Sequence, residues 1–139
     1  MARVQWIKQY SDWTAFIDGK RIMDGWVEDQ DKFYYIKDGF MLADGEYRID
    51  GQDYLFRRDG SSVTRWAKRN GRWSYYHFDD AAKMKNAFIL GRDGKIYYVN
   101  HDGIMLENVS ADFAVNGELT YKGTPIIADQ IVDDANANI

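Results

Sequence analysis

A pattern that returns about every twenty residues constrains this chain more than any other feature. An aromatic residue is followed seven places on by a second, then by an Asp-Gly turn, then by a methionine or its substitute. The first copy is Trp6, Trp13, Asp18-Gly19 and Met23, and the second is Trp26, Phe33, Asp38-Gly39 and Met41. The third is Tyr47, Tyr54 and Asp59-Gly60, with Val63 in the methionine place. Trp66, Trp73, Asp79-Asp80 and Met84 make the fourth. The fifth is Phe88, Tyr97, Asp102-Gly103 and Met105, with two residues inserted between its aromatics. A sixth, weaker copy runs from Phe113 to Tyr121. Five copies in one register argue for a repeat architecture.

Each copy reads as a β-hairpin. A short first strand (Trp26-Val27, Trp66-Ala67, Phe88 to Leu90) leads to a polar turn, of which Asn70-Gly71 and Asp93-Gly94 are the clearest. Asn-Gly and Asp-Gly suit two-residue hairpin turns because both central positions need positive φ. The second strand is an aromatic run: WTAFI, FYYI, YLFR, WSYYHF or YYVN. The closing Asp-Gly turns the chain onward, and Met, Ile or Val plugs the loop. In FYYI, alternation puts Phe33 and Tyr35 on one face and Tyr34 and Ile36 on the other, so both faces are apolar. A lone hairpin is marginal in water, whereas a row of hairpins covers both faces. The expected fold is all-β, a solenoid of about five stacked hairpins of about 20 residues. Its units lie near 6–24, 25–44, 45–64, 65–85 and 86–108, with a weak cap over 109–123. Residues 124–139 form a tail or capping strand, frayed from Asp133 onward. Ala81 to Leu90 reads as loop and strand with at most one helical turn.

Composition excludes several functions. With no cysteine, disulfide scaffolds, zinc ribbons and thiol nucleophiles are ruled out. The net charge of −4 opposes nucleic-acid binding. The one basic run, Arg65 to Arg72, reads as a solvated hairpin tip. No apolar run reaches membrane-spanning length, and Met1 to Tyr10 shows no signal-peptide pattern. His77 lies in a strand and His101 in a turn, without a ligand cluster or nucleophile motif, so no metal, cofactor or catalytic residue is expected. Asp18, Asp38, Asp59, Asp79 and Asp102 recur at turns, which marks architecture, whereas a general acid/base pair would be singular. Asn108-Val109-Ser110 is a glycosylation sequon with meaning only in a eukaryotic secretory setting.

The unit Gly25-Trp26-Val27, Phe33-Tyr34-Tyr35-Ile36, Asp38-Gly39, Met41 resembles the choline-binding, or cell-wall-binding, repeat of Gram-positive surface proteins and phage lysins. Glucan-binding repeats of glucosyltransferases and clostridial toxin repeats belong to the same broad family. The resemblance spans about residues 5 to 108. It implies ligand sites between consecutive hairpins, where aromatic rings cage choline of teichoic acid or stack on cell-wall saccharide. A quaternary ammonium donates no ordinary hydrogen bond, and aromatic faces attract it by roughly 0.5 to 2 kcal/mol per contact. Carried over, the resemblance groups Trp66 and Trp73 with Phe88, Trp6 and Trp13 with Trp26, and Trp26 and Phe33 with Tyr47. The alternative for these rings is to seal the hairpin interfaces. Only Trp26 follows the expected Gly, since Trp66 follows Arg65 and Phe88 follows Ala87. The implied function is a non-catalytic, extracellular or wall-associated binding module. The rival is a bacterial or phage protein–protein scaffold that keeps the fold without a small ligand, cytoplasmic in that case.

Overall fold

The computed structural model describes residues 3–106, 109–110, 119–121, 124–126 and 130–136. The chain divides into two compact units, Met1–Val63 and Thr64–Ile139.

Three hairpins build the first unit. β1 (Val4–Gln9) and β2 (Asp12–Ile17) form the first, extended by β3 (Lys20–Arg21). β4 (Gly25–Asp29) and β5 (Lys32–Lys37) form the second, extended by β6 (Phe40–Met41). β7 (Gly45–Ile49) and β8 (Gln52–Phe56) form the third. The Asp38-Gly39 turn after β5 has φ of 51° and 84°, the left-handed pair that makes Asp-Gly the favoured closure. Val4, Ala15, Val27 and Ile36 make the buried core, with Trp6, Ile17, Ile22 and Met41 packed against it. Met41 plugs its loop as expected, but Ile22 takes that place in the first hairpin and leaves Met23 50% exposed. Successive hairpins are tied by backbone bonds, Gly39 N–H to the Met23 carbonyl and Ser62 N–H to the Phe33 carbonyl, both 2.8 Å.

In the second unit β9 (Arg65–Arg69) pairs with β10 (Arg72–Tyr76), and β11 (Ala87–Leu90) with β12 (Ile96–Val99). Asn70 and Gly71 both have positive φ, as a two-residue turn requires. Asp93-Gly94 differs. Only Gly94 is left-handed, and residues 91–95 make a longer loop closed by Gly91 N–H to the Lys95 carbonyl at 2.8 Å. By register the fifth hairpin is one residue longer than the second and fourth, not two, since Phe88 pairs with Tyr98 where Trp26 pairs with Tyr35 and Trp66 with Tyr75. Residues 81–86 hold no helix, only a bridge from Lys83 to Tyr76.

Beyond the fifth hairpin come β13 (Val109–Ser110), β14 (Leu119–Tyr121) and β15 (Thr124–Ile126), an antiparallel meander. β16 (Gln130–Asp133) then returns to pair with β11 in parallel. Phe113, Asn108 and residues 137–139 lie outside the described residues. Over 133–136 the expected fraying is overturned. Val132 is 3% exposed and Asp134 2%, because this segment completes the sheet of the fifth hairpin and carries a buried ion pair. The core here is Tyr75, Met84, Ala87, Ile89, Val99 and Val132, flanked by Trp66, Phe78 and Met105. Hiding one such side chain is worth about 1.5–3 kcal/mol.

Candidate functional site

Strand register decides which rings meet. Trp6 lies opposite Ala15, Trp26 opposite Tyr35 and Trp66 opposite Tyr75, each pair nine residues apart. In the third hairpin Gly45 lies opposite Phe56, as Gly25 lies opposite Ile36. Glu46, not Tyr47, therefore holds the place of Trp26. Tyr54 holds the place of Tyr34, and so does Tyr97, opposite Ile89. One residue of register moves a side chain to the other face of a strand, so aromatic spacing alone misassigned the third and fifth copies.

With that register one geometry occurs three times. The first-strand Trp of a hairpin meets a second-strand Tyr of the next. Trp6 and Tyr34 have ring centres 4.9 Å apart, Trp26 and Tyr54 4.9 Å, and Trp66 and Tyr97 5.4 Å. All are steeply inclined, which matches edge positive charge to face negative charge. The expected third ring belongs to the next hairpin's first strand, whereas the ring that meets Trp6, Trp26 or Trp66 comes from its second strand. Phe88 is 6% exposed and packs on Tyr98, so Tyr97 completes the set of Trp66 and Trp73. Tyr34, not Trp26, joins Trp6 and Trp13. Trp26 meets Tyr54 and Phe56, while Tyr47 stands 6.1 Å from Phe56 at the margin. The missed residues Tyr34, Tyr54 and Tyr97 were findable by counting back from the residue that pairs with the hairpin's first Gly or its substitute.

Two of these sets open onto hollows. In the first unit Trp6, Trp13, Tyr34 and Met41 line a hollow of about 370 Å³. In the second unit Trp66, Trp73, Tyr97 and Met105 line one of about 430 Å³. Both volumes suit a small organic ligand. Trp13 and Trp73 occupy equivalent positions and are 40% and 39% exposed, while Trp6 and Trp66 pack partly against the cores. Trp26 and Phe33 are also exposed, at 42% and 44%.

The polar rims differ. At the first hollow the Trp6 indole N–H donates to Asp29 at 2.8 Å, and Ser61 donates its hydroxyl to Asp59 at 2.6 Å and its amide at 2.8 Å. The Ser61 bonds hold the Asp59 carboxyl below its ordinary value. Burial pushes the Tyr34 hydroxyl up, and the charges of Asp59 and Asp29 add to that. At the second hollow Arg65 donates Nε and Nη2 to the two oxygens of Asp134, at 2.8 and 2.6 Å. The Tyr75 hydroxyl donates to the same carboxylate. Burial raises the Asp134 carboxyl, but the bonds from Arg65 and Tyr75 outweigh it and leave the group below the carboxylate range. Asp93 accepts from the Tyr97 hydroxyl and the Lys95 amide, which lower it in that order.

Arg65 is the residue that replaces the expected Gly before Trp66. Its φ is +73°, in the region where Gly25 has +123°. A non-glycine side chain there costs about 1–2 kcal/mol. The pairing with Asp134 explains why the guanidinium stays.

Comparison with known proteins agrees with this geometry. Residues 43–88 match the family model described as choline-binding repeat. Glucosyltransferase-S of Streptococcus mutans is 27% identical over 112 residues, 78% of this chain and 8% of that protein. Choline binding protein F from Streptococcus pneumoniae, crystallised in the presence of a peptidoglycan analogue, aligns with TM-score 0.67 and 22% identity over 88% of this chain and 39% of that one. Truncated alternansucrase from Leuconostoc mesenteroides aligns with TM-score 0.67 and 22% identity, over 73% of this chain and 10% of that one. The chain thus spans well under half the length of these relatives. The fold defines an all-β protein of aromatic hairpin repeats. Within that class, residues 43–88 are similar to the choline-binding repeat.

Proposed function

We infer that this chain is a non-catalytic binding module for the bacterial cell envelope, working outside the cell or on its wall. Its ligand is choline-bearing teichoic acid or wall saccharide. The observation that carries this reading is the recurrence of one Trp, Trp, Tyr, Met set around two hollows of similar size. A core-only role would not require Trp13 and Trp73 to stay about 40% exposed at equivalent places. Each site alone binds weakly, and sites repeated along one chain gain by avidity on a repetitive polymer. The chain's likeness to choline binding protein F supports the same assignment.

The test is sedimentation with purified choline-containing cell walls. The chain is expected to co-sediment and to be released by free choline or wall sugar. Trp13→Ala with Trp73→Ala removes exposed rings and should abolish co-sedimentation without unfolding the chain. A double variant that still sediments like wild type sinks the assignment. A wild-type chain that stays in solution favours the protein scaffold.

A further inference from the structure

The two hollows share their aromatic walls but differ in what holds their carboxylates. Around the first stand the carboxylates of Asp29 and Asp59 with the ammonium of Lys32, and the Arg57 guanidinium also acts on Asp59, so that charges balance there. Around the second stand Asp93 and Asp134 against Arg65 and Arg92, which cancel. Lys68 adds an ammonium 5.9 Å from the centre of the Trp73 ring. The cancellation depends on the C-terminal segment, because β16 brings Asp134 to Arg65 across 69 positions of sequence.

We propose that the Arg65–Asp134 pair is a specificity determinant that turns the second hollow away from quaternary ammonium ions and toward uncharged, hydroxyl-rich ligands, leaving the first hollow as the cation site. This rests on the reading of both hollows as ligand sites. A cation in an aromatic box gains from a nearby carboxylate that no guanidinium clamps, and at the first hollow Asp29 and Asp59 are hydrogen-bonded by neutral donors, the Trp6 indole and Ser61. In the second, Asp134 is already held by a bidentate guanidinium. A planar guanidinium–carboxylate pair beside indole faces presents donors and acceptors in fixed directions. A sugar ring matches that arrangement, with hydroxyls at its edge and C–H groups on its face. The backbone supports a selected role for Arg65, since the side chain is kept at φ +73° where Gly is the unstrained choice.

The experiment follows the indole N–H resonances of Trp6 and Trp66 by NMR, one reporting each hollow. The probes are choline chloride and two neutral disaccharides, isomaltose and chitobiose. Choline should move Trp6 at least tenfold more tightly than Trp66, and a disaccharide should move Trp66. Arg65→Gly removes one positive charge and the clamp on Asp134, and should tighten choline at Trp66 by about tenfold, the size expected of one partly screened charge nearby. Arg65→Gln, which keeps a long side chain, guards against a glycine variant that fails to fold and should shift choline affinity in the same direction. Asp134→Asn should weaken the disaccharide at Trp66. Equal choline affinity in both hollows, or no change in folded Arg65 variants, overturns the proposal while the binding function stands. Silence of both indoles toward every probe overturns the function and the proposal together.

Discussion

Placing at position 65 the glycine that stands at the equivalent positions 25 and 45 should destabilise this protein, against the usual rule for a residue with left-handed φ. Arg65→Gly relieves a left-handed φ of +73°, a gain of about 1 kcal/mol. It also removes both charged hydrogen bonds to Asp134, whose side chain is 2% exposed, and leaves that carboxylate with the Tyr75 hydroxyl and the charge of Arg92. Breaking a buried pair from one side costs about 3–5 kcal/mol. Because the Arg65 side chain keeps 23% of its exposure, the lower figure of about 3 applies. The net expectation is a loss of about 2 kcal/mol. With Asp134→Ala already present no carboxylate remains to strand, so the same Arg65→Gly change should stabilise by at most about 1 kcal/mol, reduced by the loss of its bond to the buried Tyr75 hydroxyl. Urea unfolding of the four chains, followed by tryptophan fluorescence, gives the cycle and a coupling of about 2–3 kcal/mol. A stabilising effect in the wild-type background, or equal effects in both, would refute the argument.

Two further outcomes are expected. The Asp134 carboxyl is depressed in the folded protein, so its contribution is fully present above the ordinary carboxylate value near 4 and is lost as pH falls through the lower folded value. From pH 7 to pH 3 the urea midpoint of wild type should therefore drop further than that of Asp134→Asn, and parallel curves would contradict this. Gly60 has φ of +87°, and a Cβ there would lie 2.3 Å from Met41 Sδ. Gly60→Ala should therefore lower the melting temperature more than Gly71→Ala, which also has positive φ but open space around it.

The hairpins were legible because turn chemistry is local: Asp38-Gly39 and Asn70-Gly71 fix their own backbone whatever surrounds them. The all-β class followed from them. The third ring of each hollow was not legible from aromatic spacing. Tyr47 and Tyr54 are seven residues apart, like Trp66 and Trp73, yet in their hairpin Tyr47 pairs directly with Tyr54, whereas Trp66 pairs with Tyr75. Spacing along a chain does not reveal that difference, but pairing does. Asp134 was hidden for another reason. It sits in DDANANI, a polar sequence without strand pattern, and its burial depends on a guanidinium 69 residues away.

That separation also orders events in time. Each hairpin closes on a turn of a few residues, which takes microseconds. β16 meets β11 only after the intervening chain has been gathered in, a closure whose entropy grows with the logarithm of its length. During synthesis Arg65 leaves the ribosome well before Asp134, so the fourth and fifth hairpins wait with their guanidinium unanswered. The second hollow takes its finished electrostatic form only when the C-terminal strand arrives.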